Sequence, residues 1–351
     1  MSRIRVGVIG AGSWAVASHI PTLAEDPDVQ LVAVARKGPE QLARIKDRFG
    51  FETASEDYRA VIDAGVDVCV VSSPSVFHYE HARAALEAGA HVMCEKPVTI
   101  VPDEAWSLVD IAARQQRELV IAFGANYLDM VQRAKALMDD SGIGTLEQMS
   151  IVMSSTTREL MSNTGSYPGA DPDAIPEQAT WTDPAKSGGG YGQAQLSHAL
   201  GLGLWLTGAR VEAGFALMSA PLDAPVELHD AISYRYDGGA IGVLSGGSAH
   251  LGAAGNKHAL EVRAIGSEGQ LLVDLQREAV THFRGGEEQV LDLSPGDGTI
   301  HCRGPIQALL AAHRGDTAAN ASPGELGART VEALDVAYRS AQSGQLERRG
   351  S

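Results

Sequence analysis

The chain has 351 residues, 44% hydrophobic and 21% charged, which excludes a disordered polymer and is enough for two folded domains. Its 28 Lys and Arg against 44 Asp and Glu leave a formal charge of -16, a surface field that repels phosphate backbones and anionic bilayers, so neither nucleic acid nor membrane is expected as a partner. Three cysteines without paired spacing, Cys69, Cys94 and Cys302, suit a reducing compartment.

Two arginines precede the first apolar run, but Gly10, Gly12 and Ser13 interrupt it too early for a secretory leader. No later stretch holds about 18 uninterrupted apolar residues, so a cytoplasmic protein is expected. Strand-like runs at 5–9, 30–35, 66–72, 91–94 and 119–123 alternate with helical patterns such as 39–49 and 79–88. That alternation predicts a parallel, doubly wound sheet covered on both faces. After residue 127 the pattern changes to strand-like runs at 146–155, 211–219, 227–236, 240–248, 259–265, 270–275 and 289–293, with turn signals at Asp237-Gly238-Gly239 and Gly285-Gly286. These predict a mostly antiparallel second sheet. A Pro-, Gly- and Asp-rich stretch over 162–190 is too long for a plain connection and reads as a functional loop, followed by an amphipathic helix over 191–206. The tail over 324–343 is again helical.

Gly10-Ala11-Gly12-Ser13-Trp14-Ala15 follows the first strand at once and opens a helix, the setting a dinucleotide fingerprint requires. Gly10 permits the tight turn, Gly12 lets backbone approach a pyrophosphate, and Ala15 lets the helix pack close. Ser13 and Trp14 then stand at the helix N-terminus beside the diphosphate. The plainer alternative is a glycine turn in an α/β protein that holds no cofactor. The second strand would normally end in an acid for the ribose 2′-hydroxyl of NAD, but here it runs into Arg36-Lys37-Gly38. Two cations suit a 2′-phosphate, which favours NADP(H) over NAD(H); otherwise Arg36 and Lys37 merely begin a solvated helix.

Glu95-Lys96-Pro97 closes the strand at 91–94. Together with the glycine fingerprint, residues 84–89, Trp181, Gly188-Gly189-Gly190, His198 and Ala337-Tyr338-Arg339, this resembles the Gfo/Idh/MocA family of glucose-fructose oxidoreductase and inositol dehydrogenase over nearly the whole chain. The resemblance implies an α/β N-terminal Rossmann domain over 1–127 and an α+β C-terminal domain over 128–320 with a large open, mostly antiparallel sheet. A C-terminal helix over 321–345 would pack back on the N-terminal domain. It further implies a nicotinamide-dependent oxidoreductase acting on a hydroxyl or carbonyl carbon of a sugar, glycoside or cyclitol, and a homodimer or homotetramer formed through the sheet. Two other readings stay open: a redox-neutral enzyme that retains its cofactor, and a sensor that binds NAD(P) without turnover.

Lys96, at the carboxyl end of a parallel strand, is positioned for charge developing on the substrate oxygen, and the resemblance makes it catalytic. Many family members carry an aspartate one helical turn before the histidine of the later motif; that position is Ala194, which leaves His198 as the expected proton acceptor, with a packed, hydrogen-bonded core histidine as the alternative. Helical spacing puts Tyr191, Gln195 and His198 on one face, suited to a polyol. By the same resemblance Ser72, Pro74, Glu95, Lys96 and Asn126 are expected to contact the cofactor. Tyr127, Trp181 and Asp183 are expected to contact substrate, with loop packing as the alternative for the last two. His78, Glu80 and His81 lack a third ligand on a shared helix face, so no metal site is expected.

Overall fold

The computed structural model describes residues 3–166, 175–250 and 258–350, which divide into two compact units. The first runs to Ala122, includes residues 175–180 of the long loop, and resumes over Cys302–Ala328; the second holds the remainder. Residues 167–174 of the expected functional loop lie outside the described residues.

The first unit is built on six parallel strands: β1 (Ile4–Ile9), β2 (Val29–Ala35), β3 (Thr53–Ser55), β4 (Val68–Val71), β5 (His91–Cys94) and β6 (Leu119–Ile121), in the order β3-β2-β1-β4-β5-β6. Buried on both faces, all but β3 read as mostly apolar runs, interrupted only near their starts at Arg5, Gln30 and His91; all four residues of β4 are buried. Only β3 escapes the sequence pattern, because an edge strand of Thr-Ala-Ser carries no apolar run. Strand order reverses between β1 and β4, the place where an open parallel sheet leaves a crevice at its carboxyl edge.

The second unit holds nine strands: β7 (Leu146–Ser155), β8 (Val211–Ser219), β9 (His229–Tyr236), β10 (Ile241–Ser248), β11 (Ala259–Gly266), β12 (Gly269–Asp274), β13 (Ala279–Arg284), β14 (Glu287–Val290) and β15 (Glu347–Arg348). Their order is β14-β13-β12-β11-β7-β10-β9-β8-β15, antiparallel throughout except for β7 beside β10. The sequence pattern missed β13 because His282 takes a buried place where an apolar residue would signal a strand; its Nε2 lies 2.7 Å from the Gly142 carbonyl. Strand β15 is two polar residues long and is held by ion pairs, Arg348 with Glu212 among them.

Three expectations need correction. The helix Ser197–Thr207 is not amphipathic but buried nearly all round, because Gly203 lies against Met149 and Ile151 of β7 while Gly201 lies against Phe123. The closing helix Gly324–Ser343 leaves the first unit after Ala328, and from Arg329 it belongs to the second. There the Ala333 carbonyl accepts from the Tyr234 hydroxyl at 2.9 Å, and Ser340 Oγ accepts from the Ala216 amide at 3.0 Å. Likewise the chain enters the second unit at Phe123 rather than at 128, and returns to the first for Cys302–Ala328.

The triple glycine serves this packing. A Cβ at Gly189 would lie 2.4 Å from the Tyr338 hydroxyl, and one at Gly190 would lie 2.3 Å from the Glu227 carbonyl. The Glu227 carboxylate accepts from the amides of Gly190 (2.8 Å) and Gly192 (3.2 Å) and from the Tyr338 hydroxyl, while that hydroxyl accepts from the Gln193 amide at 3.1 Å. Glycines and tyrosine thus belong to one buried clamp.

Asp230 on β9 lies close to that clamp, with Glu227, Tyr191, Tyr234 and Tyr338 as its ionisable neighbours. Neither carboxyl oxygen has a hydrogen-bond partner among the described residues, and burial beside Glu227 pushes its pKa up to about 8. The folded state therefore keeps a proton that the unfolded chain loses near its ordinary value of about 3.9. Stability from this group is complete below that value and is lost as pH rises toward 8, by up to about 1.4 kcal/mol per pH unit. Urea unfolding at several pH values between 5 and 8 should show Asp230→Asn free of this loss; parallel curves for the two proteins would refute a buried neutral carboxyl.

Candidate active site

The first unit gathers the expected dinucleotide residues at the carboxyl ends of β1, β2, β4 and β5. Gly10 adopts φ 87°, and a Cβ there would sit 2.2 Å from the Ser73 amide nitrogen, so only glycine brings the turn after β1 against the turn after β4. Gly12 has the opposite surroundings: a Cβ would meet only the Gly10 carbonyl at 4.0 Å. That open space beside backbone at a helix start is what a pyrophosphate requires. Ser13 and Trp14 begin the helix, which widens to a π turn over Ala15–His19 ahead of Pro21, a residue that offers no N–H. Trp14 is 40% exposed.

At the end of β2, Arg36 donates to the Ala11 carbonyl at 3.1 Å and to Gln41 at 2.6 Å, which ties it to the glycine turn. Lys37 is exposed, with Asp57 as a charged neighbour, and the Glu56 carboxylate accepts from the Gly38 amide at 2.7 Å. The acid missing from β2 thus has near substitutes just after β3, which sequence reading did not register. Ser72 and Pro74 lie half-buried in the turn after β4, where the Ser72 amide donates to the Ile9 carbonyl at 2.8 Å.

Two buried histidines bracket the turn after β5. On one side His19 Nε2 lies 2.8 Å from Glu95 Oε1, while Glu95 Oε2 accepts from the Lys96 amide at 3.0 Å. Burial pushes the Glu95 carboxyl up, but His19 and Lys96 outweigh it and hold the group below the ordinary glutamate value. On the other side His78 Nδ1 lies 2.8 Å from the Pro97 carbonyl and Nε2 lies 2.6 Å from the Ser73 carbonyl. Burial drives the His78 pKa below the ordinary value, against the pull of both carbonyls and Glu95. A ring with one proton donates to one carbonyl, and a ring with two donates to both.

Between them Lys96 is half-buried, and burial lowers its pKa against the opposing influence of Glu95 and Cys302. The Cys302 thiol makes side-chain hydrogen bonds with Ser18 and Trp14, and burial pushes its pKa up to about 12. Sequence reading missed His19 and Cys302 and set His78 aside. The available signal was a polar residue within a run of small or apolar neighbours, as in Ala15-Val16-Ala17-Ser18-His19-Ile20.

The second unit carries the other expected residues. His198 is the second residue of Ser197–Thr207, half-buried and edge-on to Phe123 with ring centroids 6.3 Å apart. Tyr191 does not share an open face with it: the tyrosine is fully buried, its hydroxyl accepts from Ser155 Oγ at 3.0 Å and donates to the Met153 carbonyl at 3.3 Å. The cause is a second π turn, Gly192–Leu196, whose wider winding breaks the spacing of four and three residues; Gln195 is buried as well. Asp183 caps the short helix Pro184–Ser187 through the Ala185 amide, and Trp181 is half-buried. Asn126 is fully buried and Tyr127 half-buried, in the turn Gly124–Tyr127. Among the described residues no cluster of three or more His, Cys, Asp or Glu could hold a metal, and no helix is long and apolar enough to cross a membrane.

Comparison with known proteins matches residues 4–123 to the oxidoreductase family with an NAD-binding Rossmann fold, and residues 131–272 to the GFO/IDH/MocA C-terminal domain. Among curated relatives, D-glucoside 3-dehydrogenase of Escherichia coli is 34% identical over 146 residues, 41% of this chain and 42% of the relative. Levoglucosan dehydrogenase of Pseudarthrobacter phenanthrenivorans is 30% identical over 154 residues, 42% and 40% of the two chains. The chain thus spans about two fifths of the length of these relatives. A solved levoglucosan dehydrogenase complexed with NADH and levoglucosan has a TM-score of 0.78 at 20% identity, covering 100% of both chains. An inositol dehydrogenase homolog complexed with NAD+ from Azotobacter vinelandii has 0.77 at 22%, covering 99% of this chain and 97% of that one. With one family matched on each of the two sheets, and the fold shared from end to end, the chain belongs to the Gfo/Idh/MocA oxidoreductase family.

Proposed function

We propose that this chain is a nicotinamide-dependent oxidoreductase acting on a hydroxyl or carbonyl carbon of a sugar, glycoside or cyclitol. The observation that carries the reading is Lys96, just past the carboxyl end of β5, in a turn that Glu95 and His78 tie to the helix after the glycine turn and to the Ser73 turn packed against Gly10. The named relatives, a glucoside dehydrogenase and a levoglucosan dehydrogenase, support the substrate class. A sensor without turnover is not favoured, because it would have no use for a half-buried lysine set at this edge. When bound, the nicotinamide supplies the hydride carrier, and the residues from Gly10 to Trp14 would hold its diphosphate. Lys96 donates a hydrogen bond to the substrate oxygen, where negative charge grows in the transition state. His198 takes or returns the hydroxyl proton without the carboxylate neighbour that Ala194 replaces.

Lys96→Ala should lower turnover by about a hundredfold or more, the ~2.7–4 kcal/mol that removal of such a donor costs, while dinucleotide affinity stays nearly unchanged. His198→Asn should lower turnover and flatten the neutral limb of the pH profile. Steady-state rates on a panel of sugars and cyclitols, with cofactor binding followed by nicotinamide fluorescence, decide both; wild-type turnover in either variant removes that residue from the reaction.

The cofactor choice rests on Arg36 and Lys37. Because Arg36 is already bonded to Ala11 and Gln41, the exposed Lys37 bears most of the contact with a 2′-phosphate. Neutralising both should weaken NADP binding by about tenfold or more relative to NAD. A wild-type preference for NAD, favoured by the carboxylates of Glu56 and Asp57, would reverse the assignment.

The open face of the second sheet supports self-association. Phe215, Leu217, Ile241, Val243, Val152 and Ile265 are exposed on it, with Ser233, Ser245 and Ser150 among them and Arg235, Gln148, Arg263 and Glu261 sharing the face. Several large apolar side chains exposed on one sheet face support a partner surface there. Sedimentation should find a dimer or tetramer, and Leu217→Glu combined with Val243→Glu should give monomers; a monomeric wild type would dismiss the interface.

A further inference from the structure

His78 touches two backbone carbonyls that belong to two different turns. Ser73 lies in the turn after β4, against which Gly10 packs so closely that a side chain there would strike the Ser73 amide. Pro97 directly follows Lys96 in the turn after β5. The ring is 1% exposed, and its helix, His78–Glu87, starts between the two turns with no side-chain cap. One imidazole therefore spans the gap between the backbone that cradles a dinucleotide and the backbone that aims the lysine.

We propose that His78 is a positioning residue, a strut that fixes Lys96 relative to the dinucleotide turn so that cofactor binding and lysine placement depend on each other. The inference rests on the enzymatic reading above for its kinetic arm, but not for its binding arm. Three features support a strut over simple filling of the core. Both contacts are short and both go to backbone, so the ring constrains main-chain position rather than a mobile side chain. Apolar contact alone would be met by Leu or Phe at this place, without donors. His19 makes the matching contact on the other side of Lys96, through Glu95, so the lysine turn is tied both to the helix after the glycine turn and to the turn after β4. Other ionisable groups facing the ring are Glu95, Lys96 and His81, whose Nδ1 lies 2.8 Å from Ser73 Oγ and whose pKa is lowered by burial to about 4.

The test compares His78→Leu, His78→Gln and His91→Leu with wild type. His91 is a half-buried histidine at the opposite end of β5, where its Nδ1 accepts from the Glu118 amide at 3.0 Å, and it controls for the loss of a histidine from the same sheet. Dissociation constants for the reduced dinucleotide are read by fluorescence, and kcat and KM by turnover, all per folded molecule as judged by circular dichroism. The strut requires His78→Leu to weaken dinucleotide binding by about tenfold and to lower kcat by about a hundredfold, the loss expected when a catalytic group shifts by about 1 Å. His78→Gln, with a donor at one end, should fall between, and His91→Leu should keep both constants. Wild-type binding and kcat in folded His78→Leu overturn the proposal, as do equal losses in His91→Leu. If His78→Leu does not fold, His78→Gln decides by the same two constants. An inactive wild type on every sugar tested would sink the enzymatic reading, while the binding arm would still judge the strut.

Discussion

Everything in the first unit depends on where the carboxylate of Glu95 is buried. An ionised carboxyl away from water costs several kcal/mol unless its oxygens are occupied, and here one faces His19 Nε2 and the other the Lys96 amide. Those bonds pull the glycine-turn helix and the end of β5 together. With His78 bonded to the next turn along, Lys96 is not a flexible surface side chain but a residue whose backbone is fixed from both directions. The same burial that secures the geometry also lowers the lysine's pKa, so the ammonium gives up its proton more readily than a solvated one.

The second unit solves a different problem with similar chemistry. Its long inner helix follows a run of glycines in which the Gly190 and Gly192 amides donate to Glu227, and the space that side chains at Gly189 and Gly192 would occupy belongs to Tyr338. What reads in the sequence as a motif before a histidine is thus first a packing device. It lets a nearly apolar helix start close to the sheet, and the π turn that follows ends directly before Ser197 and His198. Both helices associated with the expected chemistry carry a π turn beside the relevant residue, a local widening often kept where function outweighs regular hydrogen bonding.

Much of the architecture was legible from residue pattern alone. Apolar runs located five of the six parallel strands because burial on both faces leaves no alternation to misread, and Gly10 and Gly12 declared the dinucleotide turn because backbone contact tolerates no side chain. Where polar residues held strands together, as in β13 and β15, the pattern was silent. The face shared by Tyr191, Gln195 and His198 was legible in principle but misdrawn, since an ideal helical period cannot foresee a π turn. The histidines around Lys96 were equally hidden, because a buried histidine and a solvated one look alike until their partners are known.

The sequence by itself determined the two sheets, the glycine turn, the lysine at a strand's carboxyl end and the family to which these belong, since each follows from local spacing or from a short ordered motif. Tertiary structure alone decided which polar residues are buried, that His78 and His19 reach carbonyl and carboxylate groups 19 and 76 residues away, and that Tyr191 serves the core. The physical reason is one of range. Period and propensity act over a few residues, whereas desolvation and hydrogen-bond pairing depend on which distant segments the fold brings within 3 Å.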